Sequence, residues 1–197
     1  MDDCITIGPG KELANLPKSV DAKYGTTGPG EVKWVLGMLL GRNRSARTIA
    51  TSQEVPIDST LARFNLLGPT TVTTPLAPGS HFSVAYCPTS QDEIEEIATR
   101  PSRELVGALT WLTLGTRPDV VFATSSLARF RHNPGRAHWE AAKLVLRYLK
   151  GTKNRRLQLG GKSPGIATFT DADWGSNSDD RRSIGAYIVK IGDRAVS

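Results

Sequence analysis

The chain has 197 residues, with 25 Lys and Arg against 19 Asp and Glu, so its formal net charge is +6. This length accommodates one or two domains, and a hydrophobic fraction of 39% is sufficient for a core. The longest strongly apolar run, residues 34–40, is much shorter than the roughly 20 residues of a membrane helix, so no spanning segment or membrane partner is predicted.

The N-terminus begins Met-Asp-Asp and lacks the basic and apolar regions of a signal peptide. The two cysteines, Cys4 and Cys87, form neither a disulfide framework nor a zinc-binding pattern. The sequence therefore predicts an intracellular protein, in the cytoplasm or the nucleus, rather than a secreted one.

Positive charge is concentrated in one segment. Residues 100–156 contain 12 basic and 3 acidic residues, a local charge of +9, whereas the rest of the chain is slightly acidic. Such a concentration suits a polyanionic partner, because Lys and Arg contacts to phosphates release counterions. From charge alone, a solvated helix face explains the pattern equally well.

The first half of the chain is predicted to be rich in strands over residues 1–53, with turns at residues 8–10 and 28–30. Residues 31–40 and 48–51 have the composition of two strands of a hairpin. Residues 56–67 predict a short helix, and residues 69–90 have the Thr, Pro, Ser and Gly content of a linker.

Three helices are predicted next, and short strands follow them. The first helix is expected to be capped by Ser102, the second to begin at Pro118, and the third to cover residues 137–150. Apolar residues recur at i, i+4 and i+7 in these segments, so each helix has one face for a core. The strands cover residues 157–159, 166–171 and 184–191, the last near a sheet edge.

Four strings in this region resemble one family. They are PSRELVGALTWL from Pro101, TRPDVVF from Thr116, HWEAAKLVLRYLKGTK from His138 and TDADWGSNSDDRRSIGAY from Thr170. They are similar to the Pol polyprotein of copia-type LTR retrotransposons, in the stretch that joins its reverse transcriptase to its ribonuclease H. Residues 32–40 resemble the strand after the polymerase active site. The resemblance covers nearly the whole chain.

The resemblance implies carboxylates of two metal-dependent sites. Asp2 and Asp3 resemble the end of the family's Tyr-Val-Asp-Asp motif, and Asp171 matches the first catalytic Asp of ribonuclease H. Such carboxylates hold two Mg²⁺ or Mn²⁺ ions during nucleotidyl transfer and phosphodiester hydrolysis. The remaining ligands of both sites would precede Met1 or follow Ser197, so this chain alone is expected to be inactive and to bind no metal tightly.

The resemblance also implies a duplex partner. In the family, this region follows the template–primer duplex, so an RNA–DNA or DNA duplex is the expected partner, bound without sequence preference. The candidate contacts lie on one stripe of the third helix and just after it: Lys143, Arg147, Lys150, Lys153, Arg155 and Arg156.

The sequence therefore predicts an α+β fold in four parts. These are a palm remnant over residues 1–53, a thumb-like helix and linker over 54–101, a helical connection region over 102–163 and an incomplete ribonuclease H-like domain over 164–197. Three functional hypotheses follow: part of an RNA-directed DNA polymerase with ribonuclease H, a non-catalytic basic nucleic-acid-binding remnant, and an inert protein.

Overall fold

The computed structural model describes residues 5–25, 30–161, 165–192 and 194–196. It contains helices and two antiparallel sheets, so the α+β prediction is confirmed. The helices are α1 (Gly10–Tyr24), α2 (Glu54–Arg63), α3 (Gln91–Ala98), α4 (Ser102–Gly115), α5 (Val121–Ala128) and α6 (Arg136–Gly151), with 3₁₀ helices at Val84–Tyr86 and Pro118–Val120. The strands are β1 (Trp34–Val35), β2 (Met38–Asn43), β3 (Thr48–Ser52), β4 (Leu157–Gly160), β5 (Ile166–Ala172), β6 (Gly185–Ile191) and β7 (Arg194–Ala195).

The hydrophobic core lies between α2, α4, α5 and α6, as the apolar stripes predict. Its fully buried side chains include Leu61 of α2, Leu109 of α4 and Leu146 of α6. Helix α2 ends earlier than predicted, because Asn65 has a positive φ of 59° and the next N–H, that of Leu66, bonds back to the Leu61 carbonyl. This left-handed ending satisfies carbonyls of the last helical turn.

The predicted hairpin is present, with an additional turn. Leu36 and Gly37 have positive φ angles of 48° and 71°, so the predicted strand over residues 31–40 divides into β1 and the start of β2. Strand β3 pairs with β2 on one side and with β4 on the other, giving the order β1-β2-β3-β4. Because β4 directly follows the helical region in the chain, this sheet connects the hairpin to the end of α6.

The prediction of a strand-rich N-terminal segment is wrong over α1. Residues 5–7 form no strand, and the helix starts at Gly10, where a turn was predicted; Cys4 and most of the second predicted turn lie outside the described residues. The Pro9 carbonyl accepts bonds from the N–H groups of Glu12 and Leu13, and Gly25 ends the helix with a φ of 62°. Pro17 lies within this helix, and a proline in a helix interior normally signals a break.

The region before α4 packs on the helical core and differs from the sequence prediction in its helix cap. Val72, Leu76 and Phe82 of the predicted linker, residues 69–90, pack against the core. Ser102 does not cap α4: it lies within the helix, is buried, and its hydroxyl has no hydrogen-bond partner in the described part of the chain. The side-chain cap of this region belongs instead to α3, where Ser90 and Glu93 form a capping box.

The second sheet has the strand order β5-β6-β7. Strand β6 pairs with β5 along its whole length and with β7 at its C-terminal end. The prediction placed this strand near a sheet edge. The sequence pattern did not signal the third strand, Arg194–Ala195, which pairs only with Lys190 and Ile191, so the rest of β6 has no ladder partner on that side among the described residues.

The N-terminus of α6 is built around a buried histidine. His138 is 3% exposed, and its Nδ1 accepts a hydrogen bond of 2.9 Å from the Gly135 N–H, which satisfies a donor at the start of the helix. Its ring stacks on Phe130 with centroids 4.4 Å apart and contacts Phe82 and Tyr86. Burial lowers the pKa of His138, because the charged imidazolium is disfavoured in this apolar site.

The stability of the protein is expected to fall as the pH decreases below about 6.5. The unfolded chain then binds a proton that the folded His138 resists, until the lowered folded pKa is reached. In His138→Gln the side-chain oxygen can still accept from the Gly135 N–H but does not titrate, so the decrease should be smaller. Urea unfolding between about pH 7 and pH 5 measures this difference. The control is His81→Gln at an exposed position, and equal slopes for His138→Gln and the unmodified chain would contradict the prediction.

Candidate nucleic-acid interface

Helix α6 buries one face in the core and carries a stripe of basic residues on the other, which we call its outer face. Ala142, Leu146 and Leu149 point into the core. Lys143, Arg147 and Lys150 recur at i, i+4 and i+7 and share the other side of the helix. Arg136, at the start of α6, lies on the same stripe two turns before Lys143. The sequence prediction did not include it, although extending the same spacing backward would have identified it.

Two of the predicted lysines form ion pairs within the chain. Lys143 Nζ lies 2.7 Å from Glu140 Oε1, one turn earlier on α6. Lys153 Nζ lies 2.8 Å from Asp58 Oδ2 and 3.8 Å from Glu54 Oε1, both on α2. The hydrogen bond from Lys153 to Asp58 raises the pKa of that lysine. Lys153 therefore connects the end of α6 to α2.

Two further predicted contacts are also engaged within the protein. Lys150 Nζ donates to the carbonyl of Leu67 at 2.7 Å, and it lies 3.5 Å from that of Leu66. Arg155 Nη1 donates to the Tyr148 hydroxyl at 2.8 Å and lies 3.4 Å from Asp119 Oδ2. Four of the six predicted contacts therefore already have partners in this chain.

The pair of Arg155 and Asp119 belongs to a larger buried network. Arg117 is 1% exposed, and its guanidinium donates to both carboxylate oxygens of Asp119, at 2.9 and 2.8 Å. It also donates to the carbonyl and the hydroxyl of Thr152, at 3.2 and 2.6 Å. Burial alone would raise the pKa of Asp119, but the hydrogen bonds and charge of Arg117 outweigh it and lower the pKa. This network fixes the start of α5 against the end of α6.

Several arginines of the basic segment have no carboxylate partner. The paired cations take some of their partners from outside residues 100–156, namely Glu54, Asp58, Glu96 and Asp179. Within the described residues, the arginines of the segment without such a partner are Arg103, Arg131, Arg136, Arg147 and Arg156. The charge without a carboxylate partner therefore lies on only part of the basic segment, residues 100–156, that the sequence indicates.

The carboxylates predicted to bind metal are not assembled in the described residues. Asp2 and Asp3 lie outside them. Asp171 is exposed on β5, opposite Ala186. A neighbouring carboxylate, Asp173, accepts the Ile184 N–H at 2.7 Å and the Ser176 hydroxyl, and the Ser176 bond is the larger cause of its lowered pKa. No group of three His, Cys, Asp or Glu side chains suited to a metal occurs in the described ranges.

These features define an α+β protein with a helical core and a basic outer helix face. The same chain is similar to the retrovirus-related Pol polyprotein of transposon TNT 1-94 from Nicotiana tabacum, with 36% identity over 198 residues. It is 32% identical over 199 residues to the Pol polyprotein of transposon RE1 and 36% identical over 138 residues to that of RE2, both from Arabidopsis thaliana. The first two alignments cover the whole chain, and the third covers 70% of it.

The chain belongs to the retrovirus-related Pol polyproteins of copia-type retrotransposons, as the sequence strings indicate. It spans 15%, 13% and 9% of the lengths of these three relatives. No protein-family model and no solved structure matches it. Within the ranges that the structure describes, no helix is both long enough and apolar enough to cross a membrane.

Proposed function

We propose that this chain is the duplex-binding part of a Pol polyprotein, between the polymerase and ribonuclease H active sites. The complete polyprotein would perform RNA-directed DNA synthesis and hydrolysis of the RNA strand by two-metal catalysis. In this proposal, β1 to β3 end the polymerase palm, the helices form the thumb and connection, and β5 and β6 begin the ribonuclease H-like sheet.

The observation that carries this proposal is the uncompensated charge on and after α6. Arg136 and Arg147 lie on its outer stripe, and Arg156 follows the helix. None of the three has a carboxylate partner among the described residues. Arginine guanidinium groups bind phosphate oxygens through paired N–H donors, and such contacts position a duplex without reading its sequence.

We do not propose that this chain alone catalyses either reaction. Asp171 has no neighbouring cluster of carboxylates in the described residues, and two-metal chemistry requires several such ligands around each reacting phosphate. Asp2, Asp3 and Asp171 are proposed to belong to sites that need further carboxylates. The paired cations Lys143, Lys150, Lys153 and Arg155 would serve chiefly to hold α6 in place and to add positive potential.

Binding to a labelled RNA–DNA hybrid is expected to weaken steeply with salt, with a log–log slope of about −0.9 for each phosphate neutralised. The variant Arg136→Gln/Arg147→Gln/Arg156→Gln should reduce this slope by up to about 2.7, because three phosphates would no longer be neutralised. Fluorescence anisotropy at several salt concentrations measures both effects.

The matched control removes three charges from a different helix. Lys11, Lys18 and Lys23 are exposed on α1, and Lys11→Gln/Lys18→Gln/Lys23→Gln has the same net charge as the test variant. We expect this control to retain most of the slope. If the two variants lose the same amount of slope, net charge rather than the α6 face determines binding. If the unmodified chain shows no salt-dependent binding, the proposed function is wrong.

A further inference from the structure

A second basic surface lies on the β2–β3 hairpin, outside the segment that the sequence indicated. Residues 32–53 contain Lys33, Arg42, Arg44 and Arg47 and no Asp or Glu. Strand β4, which pairs with β3 at the other side, has no charged residue. The strands of this sheet and their turns therefore carry positive charge that none of their own residues neutralises.

Hydrogen bonds and strand pairing hold the backbone at the end of the β2–β3 hairpin in one conformation. Asn43 Oδ1 accepts the Ala46 N–H at 2.9 Å, and the Arg47 N–H donates to the Arg44 carbonyl at 3.2 Å. Arg47 has a φ of 53°, and the next residue, Thr48, pairs with Asn43 on one side and Gly160 on the other. The positions from which the three arginine side chains extend are thus fixed by hydrogen bonds and by two neighbouring strands.

The three arginines line one open concavity of about 350 Å³. Its wall consists of Arg42, Asn43, Arg44, Arg47, Thr48 and Ile49. The residues of the wall carry three guanidinium groups, an amide and a hydroxyl, and none of them is acidic. Donors of this kind match an anion that has several oxygen atoms.

Few carboxylates compete for these arginines. Arg44 Nη2 lies 3.7 Å from Glu31 Oε1, and both side chains are more than half exposed, so this pair contributes little. Arg42 and Arg47 have no ion-pair partner within the described residues. In contrast, α6 shares its face with Glu140, and several cations around it are paired.

We propose that the end of the β2–β3 hairpin binds phosphate groups of a nucleic-acid backbone, as a contact separate from the α6 face. The proposal rests on the proposed duplex-binding function and adds a second point of attachment to it. The guanidinium groups of Arg42, Arg44 and Arg47 would donate to phosphate oxygens, because their planar donor arrangement matches that geometry. A second contact would add phosphates to those that the α6 face neutralises.

The test compares Arg42→Gln/Arg44→Gln/Arg47→Gln with the α1 lysine control in the full chain. The log–log salt slope for the labelled hybrid is expected to decrease by about 0.9 for each phosphate that is no longer neutralised, and by no more than about 2.7. The α1 control should retain its slope. The variant Arg42→Lys/Arg44→Lys/Arg47→Lys keeps the charge and should retain most of the slope.

The outcomes separate this site from the proposed function. If the unmodified chain binds the hybrid and the hairpin Gln variant keeps the full slope, the hairpin site is wrong while the proposed function stands. If the Lys variant loses as much slope as the Gln variant, neutralisation of phosphates by positive charge at these positions does not explain the slope, and the site is contradicted. If inorganic phosphate displaces the hybrid from the unmodified chain at concentrations far below the background salt, the site binds a free anion and the backbone assignment is wrong. If the unmodified chain does not bind, both proposals fail.

Discussion

Replacing Gly135 with alanine is expected to lower the free energy of unfolding by about 3 kcal/mol, the upper part of the usual range for overpacking. Gly135 precedes α6, and a Cβ atom there would overlap the carbonyl oxygen of Tyr86 and lie 3.5 Å from Cys87 Cα. These neighbours are backbone atoms, so rotation of a side chain cannot relieve the overlap. The shift would also disturb the bond from the Gly135 N–H to His138.

Urea unfolding followed by circular dichroism measures this change. The matched control is Gly107→Ala on the exposed side of α4, where an added Cβ meets nothing within 4 Å. Because alanine favours a helix more than glycine does, the control should gain up to about 1 kcal/mol. A midpoint for Gly135→Ala that equals or exceeds that of the unmodified chain would contradict the described packing of residues 84–87 on α6.

Replacing Arg117 with methionine is expected to cost about 3 kcal/mol, at the lower end for removing one partner of a buried ion pair. The guanidinium makes four hydrogen bonds, two to Asp119 and two to Thr152, and is almost fully buried. Asp119 would keep its interactions with Tyr148 and Arg155. Those interactions reduce the penalty of leaving its charge without Arg117.

The loss in the free energy of unfolding caused by Arg117→Met should become smaller at low pH. Arg117 helps to lower the pKa of folded Asp119, so its stabilising effect is present above the unfolded pKa of about 3.9 and is lost as the pH falls through the folded pKa. The difference between the two proteins should therefore shrink below about pH 4. Urea unfolding at several pH values tests this, with the exposed Arg103→Met as the control. A pH-independent difference would contradict an effect through the charge of Asp119.

The helical core could be predicted from the sequence because its signal is local. Apolar residues at helical spacing mark the buried faces of α2, α4 and α6, and the structure buries most of them. Helix α1 could not be predicted in this way, because it contains Pro17 and packs few apolar side chains. Strand β7 could not be predicted either, since two residues carry no periodicity and pair only because β6 lies beside them.

The candidate interface was less predictable than the core. The charge counted along the sequence differs from the charge that remains after distant residues form ion pairs in the folded protein. Counting residues 100–156 identified a basic segment correctly, but Asp58 approaches Lys153 from α2, and Asp179 approaches Arg129 from the loop before β6. These neutralising ion pairs depend on tertiary structure. The hairpin arginines show the opposite case: their number is small, yet the fold places few carboxylates near them.

Arginine-selective modification by phenylglyoxal, read by mass spectrometry, tests the central claim most directly. The claim is that the unpaired arginines Arg136, Arg147 and Arg156 contact the duplex. Their modification should slow when an RNA–DNA hybrid is added at low salt and recover at high salt. Arg63 and Arg155 are exposed but paired within the chain, so their modification should not change. Equal protection of paired and unpaired arginines, or no protection at the three unpaired positions, would contradict the claim.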